Sequence, residues 1–256
     1  MITCEHLSIG YRQGKHCHVV QEDLQLQVNA GELIALIGPN GCGKSTLLRT
    51  LSGLQKPLSG KIYFRGLDMS TLSLSELSRL QSIVLTQNVA IEYCKVFQMV
   101  ALGRSPYTGR LGRLDAQDKR LVEEALDRVG MRSYAQKNLS DLSDGERQRV
   151  MIAKALAQNT PLIFLDEPSS HLDLSNRISL HALLGDLAKD MGKSILFSTH
   201  ELELALHTAH KAWLMRAAAG GIEQASPQEL LARGSVQAVF GNDDYFISSD
   251  GRVVMK

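Results

Sequence analysis

Short apolar runs with few polar interruptions recur along the chain and predict buried strands. The first, Leu33–Ile37, is apolar throughout, which is typical of a parallel strand covered on both faces. Similar runs lie at residues 83–85, 162–165 and 194–197. Segments with helical periodicity separate these runs, so we expect a mostly parallel sheet with helices on its faces.

A different pattern in the first 30 residues predicts a second sheet. Leu24, Leu26 and Val28 alternate with polar residues, as expected of a strand with one buried face. Residues 61–64 form another strand-like segment that ends at a turn. We therefore expect a small antiparallel sheet that packs against the core.

The middle of the chain favours helices. Asp115 is suited to cap a helix that Gly130 would end. The apolar residues between them fall on one helical face: Leu121, Val122, Ala125, Leu126 and Val129.

A glycine-rich segment follows the first apolar run and fits the pattern G-x-x-x-x-G-K-S. Its backbone N–H groups can approach phosphate oxygens closely, and the helix that begins at Ser45 would direct its positive end at the same anion. An ordinary turn with a surface lysine is the alternative, which the order of strand, loop and helix disfavours. The predicted phosphate-binding residues are Gly38, Pro39, Asn40, Gly41, Cys42, Gly43, Lys44, Ser45 and Thr46.

Polar residues follow three of the other predicted strands. Asp166 and Glu167 come directly after one strand, Gln87 follows another, and His200 follows a third. Ligands of open α/β sheets bind at these strand ends. Asp166 would hold Mg²⁺, Glu167 would deprotonate an attacking water, and His200 would hydrogen-bond the γ-phosphate. Each residue considered alone has an ordinary structural explanation, and only the phosphate loop beside them favours catalysis.

Composition narrows the class of protein. The chain has 256 residues and a net charge of +1, so no basic surface points to nucleic acid. Its four cysteines lack a disulfide-like spacing, which favours a reducing cytoplasm. The polar N-terminus does not resemble a signal peptide, and no apolar run is long enough to span a bilayer.

A second motif lies in the latter half of the chain, at residues 142–146. Ser143 and Glu146 have the spacing of a capping box and precede the apolar residues 150–153. Such a box stabilises a helix whether or not a ligand is near. It can also present a capped helix start to an anion, so both interpretations can hold together.

These motifs, in this order, resemble the nucleotide-binding subunit of ATP-binding cassette (ABC) transporters over nearly the whole chain. The resemblance matches Walker A to residues 38–46, the Q-loop to Gln87, the signature to residues 142–146, Walker B to residues 162–167, and the switch to His200. It implies an α/β P-loop NTPase fold, RecA-like, with an N-terminal antiparallel β subdomain. Residues 1–256 would form a single ABC ATPase domain. Residues 88–159 would be an inserted helical subdomain, and residues 1–87 and 160–256 the core.

The resemblance also implies a nucleotide site shared between two subunits. Tyr11 would stack on adenine, and Ser143 and Gly145 would donate hydrogen bonds to the γ-phosphate held by the other subunit. Two ATP molecules would lie between the subunits of a head-to-tail homodimer. Further residues would complete the site: Mg²⁺ ligands Ser45, Gln87 and Asp166, and the D-loop residue Asp173.

Three positions depart from the family pattern. Asp144 and Glu146 stand where the family has glycine and glutamine, and His171 stands where a small residue is common. Two additional negative charges near a triphosphate would weaken closure unless they point away or pair with Arg147 or Arg149.

Residues 100–107 and the helix from Asp115 to Gly130 are similar to ATPases that import iron-siderophore complexes, haem or cobalamin. This likeness implies permease partners, an extracytoplasmic substrate-binding protein as an indirect partner, and a peripheral location on the cytoplasmic face of the inner membrane. Residues 89–97 could receive a cytoplasmic helix of the permease or simply pack the helical subdomain. The transported cargo cannot be identified from this chain.

Two other functions remain open: a soluble ABC ATPase without a transport role, and a regulatory ABC module with impaired hydrolysis. Intact Lys44, Glu167 and His200 disfavour the second. A separate hypothesis places a metal between Cys4, His6, Cys17 and His18 across an N-terminal hairpin, although no C-x-x-C spacing supports it.

Overall fold

The computed structural model describes residues 1–14, 16–85, 93–109, 111–217, 219–241 and 244–255. The strands are β1 (Ile2–Gln13), β2 (His16–Val28), β3 (Leu33–Ile37), β4 (Ser59–Phe64), β5 (Leu67–Asp68), β6 (Gln81–Val84), β7 (Leu162–Asp166), β8 (Ser194–Ser198), β9 (Lys211–Met215), β10 (Ile222–Ala225), β11 (Tyr245–Ile247) and β12 (Val253–Met255). The α-helices are α1 (Lys44–Leu51), α2 (Leu74–Leu80), α3 (Val96–Ala101), α4 (Ala116–Arg128), α5 (Asp144–Ala157), α6 (Leu174–Met191), α7 (Leu202–Thr208), α8 (Pro227–Ala232) and α9 (Ser235–Phe240).

The predicted parallel sheet is present. Its strand order is β10-β9-β3-β8-β7-β6, and all neighbours pair in parallel except the antiparallel edge strand β10. All four apolar runs lie in or overlap strands of this sheet, although β6 begins two residues before the predicted segment and ends one residue before its end. Because β3, β8 and β7 are neighbours, their carboxyl ends meet at one edge of the sheet.

The side chains of β3 enter two different hydrophobic cores, which explains its uninterrupted apolar sequence. Leu33, Ala35 and Ile37 pack on the side that faces α5 and α6. Ile34 and Leu36 pack on the opposite side, together with α1 and the antiparallel sheet. Successive residues of a strand point to opposite faces, so a strand covered on both faces needs an apolar residue at each position.

The second sheet has the order β2-β1-β4-β5 and is antiparallel, as predicted. Leu24, Leu26 and Val28 are all buried in the second core. The pairing of β1 with β2 places Tyr11 opposite His18. This sheet therefore covers one face of the core and carries Tyr11 to the edge of the phosphate loop.

Helices α3, α4 and α5 pack against one another, and α4 has the cap that the sequence predicts. The Asp115 side chain accepts a hydrogen bond from the Asp118 N–H, and Gly130 follows the helix in the left-handed region at φ 71°. Buried Arg104 donates from Nε to Asp118 Oδ1 at 2.8 Å, which ties the segment after α3 to α4.

Candidate functional site

The phosphate loop connects β3 to α1 and depends on two glycines. Gly43 has φ 109°, and a Cβ there would lie 2.2 Å from Val20 Cγ1. A Cβ on Gly38 would lie 2.5 Å from the Met215 carbonyl oxygen. Side chains at these positions would collide with β2 and β9, so the loop can approach both strands only with glycine.

Lys44 is buried beneath this loop. Its Nζ donates hydrogen bonds to the carbonyl oxygens of Gly38 at 2.9 Å and Pro39 at 3.1 Å. Only 6% of the residue is exposed. The positive charge therefore lies inside the curve of the loop, where a phosphate group would meet it.

Asp166 connects three elements at the edge of the parallel sheet. It ends β7, and its Oδ1 accepts hydrogen bonds from Ser45 Oγ at 2.9 Å and from Ser198 Oγ at 2.7 Å. Ser45 belongs to α1 and Ser198 to β8. Carboxylate and hydroxyl oxygens are suitable ligands for Mg²⁺, so the pair Ser45 and Asp166 fits the predicted metal.

Glu167 follows in an uncommon backbone conformation. Its φ is 46°, in the left-handed region, and its N–H donates to Ser198 Oγ at 2.9 Å. His200 Nδ1 lies 3.8 Å from Glu167 Oε2, which is longer than a direct hydrogen bond. A carboxylate and an imidazole thus face the same space next to the phosphate loop, an arrangement suited to general base catalysis.

Tyr11 lies at the other end of the phosphate loop. Its hydroxyl is 2.6 Å from Thr46 Oγ1, and its side chain is partly exposed. Tyr11 also lines a cavity of about 440 Å³ together with His16, Cys17 and His18. A planar ring could stack on Tyr11 at this cavity, and the predicted contact of Tyr11 with adenine stays a prediction.

Ser143 and Glu146 form the predicted capping box at the start of α5. The Ser143 N–H and Oγ donate to Glu146 Oε2 at 2.8 and 3.0 Å, and Ser143 Oγ accepts the Glu146 N–H at 3.3 Å. The hydrogen bond from the Ser143 backbone is the main reason that the pKa of Glu146 lies below its usual value. Glu146 therefore remains a carboxylate at the position where the predicted anion would approach.

Of the ion pairs expected for the two acidic residues of this motif, the pair between Asp144 and Arg147 is present. Arg149 takes no part in such a pair. Arg147 Nη1 lies 3.2 Å from Asp144 Oδ1. Arg149 instead donates to Ser179 Oγ at 2.9 Å. The negative charge of Asp144 is thus compensated within the chain.

The start of α6 contacts the start of α5. Asp173 caps α6 by accepting hydrogen bonds from Asn176 N at 2.8 Å and Asn176 Nδ2 at 2.9 Å. A Cβ on Gly145 would lie 3.0 Å from Asn176 Cγ. A larger residue at position 145 would therefore push against the segment that follows Asp173. His171, just before this segment, has φ 69°.

A family model described as ABC transporter matches residues 21–170, which include the phosphate loop, Ser143 and Asp166 with Glu167. The chain belongs to the ABC transporter family. Together with this geometry, the match confirms the predicted P-loop NTPase fold. ATP-binding proteins of ABC transporters are ATPases that bind ATP, so the predicted enzymatic class and nucleotide are confirmed.

Similar proteins include ATPases of importers. The chain is 38% identical over 209 residues to the iron(3+)-hydroxamate import ATP-binding protein of Bacillus subtilis, which covers 82% of this chain and 76% of that protein. A solved structure described as an inward-facing metal-chelate type ABC transporter superposes with a TM-score of 0.82 at 26% identity, covering 100% of this chain and 97% of that one. A dimeric structure of a bacterial ABC transporter cassette superposes with a TM-score of 0.76 at 26% identity, covering 89% and 99%.

The structure brings one set of the motif residues together at the edge of the parallel sheet: Lys44, Ser45, Asp166, Glu167 and His200. It places Ser143 and Gly145 elsewhere, at the start of α5 against α6. Gln87 lies outside the described residues, so its predicted part in the site stays a prediction. The hypothetical metal residues of the N-terminal hairpin are not aligned with one another, because Cys4 pairs with Leu26 and Cys17 pairs with Arg12. Cys4 is also buried, and this burial raises the pKa of its thiol to about 12.

Sequence reasoning missed three residues that support this site. Ser198 bonds both acidic residues at the end of β7, while Arg177 and Glu201 form an ion pair next to His200. Ser198 comes directly after the predicted strand at residues 194–197, and this position was a usable signal. Arg177 and Glu201 are distant in sequence, and no spacing rule connects them.

Replacement of Ser198 by alanine should lower the rate of ATP hydrolysis about tenfold, because Asp166 and the Glu167 backbone lose a shared hydrogen-bonding partner. Stability should fall by about 1–3 kcal/mol, as expected when buried partners are left unpaired. Hydrolysis at saturating Mg-ATP and chemical denaturation would measure the two effects.

Ser194→Ala is the matched control. Ser194 lies at the opposite end of β8, and its buried hydroxyl also accepts one N–H, at 3.0 Å, and donates to one carbonyl, at 2.9 Å. This variant should lose similar stability and keep its activity. Equal activity loss in both variants would contradict the specific role of Ser198.

Proposed function

We propose that this chain is the ATP-binding and hydrolysing subunit of an ABC importer that takes up a metal chelate such as an iron-siderophore, haem or cobalamin. The observation that carries the proposal is the likeness over the full length of the chain to a metal-chelate type ABC transporter. The resemblance to an iron(3+)-hydroxamate import protein supports the same class of cargo.

In the proposed hydrolysis step, the loop residues and Lys44 hold the β- and γ-phosphates and Tyr11 stacks on the base. Ser45 and Asp166, with Gln87, would hold Mg²⁺, which supplies positive charge to the phosphates when bound. Glu167 removes a proton from the attacking water, and His200 orients that water against the γ-phosphate. The backbone bond from Glu167 to Ser198 fixes the position from which the carboxylate acts.

Two subunits would bind two ATP molecules between them. Ser143 and Gly145 of one subunit would meet the γ-phosphate held by the other subunit. The likeness to a dimeric bacterial ABC transporter cassette supports the assembly of two subunits. The Ser143 hydroxyl now donates to Glu146, so it must turn to reach a phosphate. Asp173 lies next to this contact through Asn176, which supports its place in the same interface.

We also propose that residues 88–159 form the subdomain that meets the permease. No helix in the described parts of the chain is long and apolar enough to cross a bilayer. Tyr93 is 89% exposed and Leu111 is 78% exposed, and apolar side chains this accessible suit a protein partner. The permease would hold the subunit at the cytoplasmic face of the membrane and would receive cargo from an extracytoplasmic binding protein.

The Glu167→Gln variant should hydrolyse ATP at least about a hundredfold more slowly, because the amide cannot accept the proton from water. It should still bind ATP and should accumulate as an ATP-dependent dimer. When assembled with the natural permease in vesicles, the unaltered subunit should drive uptake of a chelated metal, and the variant should not.

Hydrolysis by Glu167→Gln at the parental rate would refute the assignment of the base. Failure of the unaltered subunit to drive uptake of iron-siderophore, haem or cobalamin, together with normal ATPase activity, would refute the proposed cargo class. Glu223→Gln, which alters an acidic residue on β10 that pairs with Arg216 and Arg233, provides the activity control.

The dimer of the Glu146→Gln variant should close more readily around ATP. It removes a carboxylate charge beside the incoming triphosphate, while the amide oxygen can still accept from Ser143. In the Glu167→Gln background, we expect the ATP-dependent dimer to form about threefold to tenfold more tightly, as measured by analytical ultracentrifugation at several protein concentrations.

Glu76→Gln is the matched control, because Ser73 and Glu76 form the same capping box at the start of α2. There the Ser73 N–H donates to Glu76 Oε2 at 2.8 Å and the Glu76 N–H donates to Ser73 Oγ at 3.3 Å. This change should leave dimer affinity as it was. Unchanged affinity in Glu146→Gln as well would show that its charge does not oppose closure.

A further inference from the structure

Arg177 connects the D-loop segment to the residue that follows the switch histidine. It lies in the first turn of α6, and its Nε donates to the Leu172 carbonyl oxygen at 2.7 Å. Its Nη1 lies 2.8 Å from Glu201 Oε1. One guanidinium group therefore holds two segments that come from the ends of different strands, β7 and β8.

Glu201 is held by the charge of its neighbours rather than by well-aligned hydrogen bonds. Its Oε1 is buried, and within the described parts of the chain it accepts no hydrogen bond of good geometry, even from the nearby Arg177. His200 Nε2 lies 3.4 Å from the same oxygen. The imidazole thus has one ring nitrogen towards Glu201 and the other towards Glu167.

Arg177 supplies the positive charge that this largely buried carboxylate needs. His181, also on α6, interacts electrostatically with Glu201, and burial lowers the pKa of His181 to about 4 despite the opposing effect of Glu201. His181 is therefore neutral near pH 7. Without Arg177, Glu201 would lack its compensating charge. We expect that its side chain would then turn towards solvent, away from His200.

The same helix start also contacts the signature segment. Asn176, adjacent to Arg177, packs against Gly145 and bonds to Asp173. A displacement of α6 would therefore move Arg177 and its contact with Glu201. Arg177 and Glu201 therefore lie between two parts of the proposed site: the surface that would meet the other subunit and the residues that would act on water.

We propose that Arg177 and Glu201 are positioning residues that hold the imidazole of His200 in the orientation needed for hydrolysis. The inference rests on the proposed function of His200 and Glu167. Neither Arg177 nor Glu201 touches the nucleotide in this proposal. Their loss should slow hydrolysis and leave nucleotide binding intact.

The test uses the full chain with the single changes Arg177→Met and Glu201→Gln. Each should lower the single-turnover rate of ATP hydrolysis about tenfold to a hundredfold, as expected for a misplaced catalytic group. The dissociation constant of a fluorescent ATP analogue should stay within about twofold, because the phosphate loop is unaltered. Arg177→Lys keeps the positive charge and should recover part of the rate.

Two further variants separate positioning from general damage. In a His200→Ala background, Arg177→Met should cause little additional loss, because residues that act through one another are not additive. Arg233→Met removes an arginine that pairs with Glu223 at 3.3 Å, away from the site, and should leave the rate unchanged.

A parental rate in Arg177→Met, while Glu167→Gln and His200→Ala hydrolyse ATP slowly, would overturn this inference and leave the proposed function standing. Full additivity of Arg177→Met with His200→Ala would also overturn it. So would a loss of ATP binding and of thermal stability that Arg177→Lys does not restore, since the pair would then be structural. Hydrolysis by Glu167→Gln at the parental rate would instead remove the proposed function, and the inference with it.

Discussion

The site depends on one buried carboxylate. Asp166 accepts hydrogen bonds from Ser45 at the start of α1 and from Ser198 at the end of β8, so the elements that carry the phosphate loop, the acidic pair and the switch histidine are joined at one atom. This junction is possible only because β3, β8 and β7 run in parallel as neighbours. The strand order therefore determines the chemistry available at the sheet edge.

Much of this arrangement could be predicted from the sequence, because the constraints involved are local. A strand between two cores needs an apolar residue at each position, as β3 shows, and a phosphate loop needs glycine where β2 and β9 approach. The bond between Ser198 and Asp166, the packing of Asn176 on Gly145, and the pairing of Arg177 with Glu201 could not be predicted. Each depends on how distant segments meet, which no residue spacing specifies.

The start of α5 shows how one motif can serve stability and recognition. Its capping box matches those at Ser73 with Glu76 and at Ser226 with Glu229 in donor, acceptor and distance. Capping alone would therefore explain Ser143 and Glu146. What distinguishes this helix start is Gly145, which lies against the beginning of α6 and so connects the cap to the segment beside the proposed catalytic residues.

In the proposed dimer, each triphosphate is held by the phosphate loop of one subunit and by the Ser143 helix start of the other. The most direct measurement mixes two inactive proteins, Lys44→Ala and Ser143→Arg, and follows ATP hydrolysis. The mixture should recover about a quarter of the parental rate, because half of the dimers are mixed and each mixed dimer contains one intact site. A mixture that is no more active than the average of its two components would contradict a shared site.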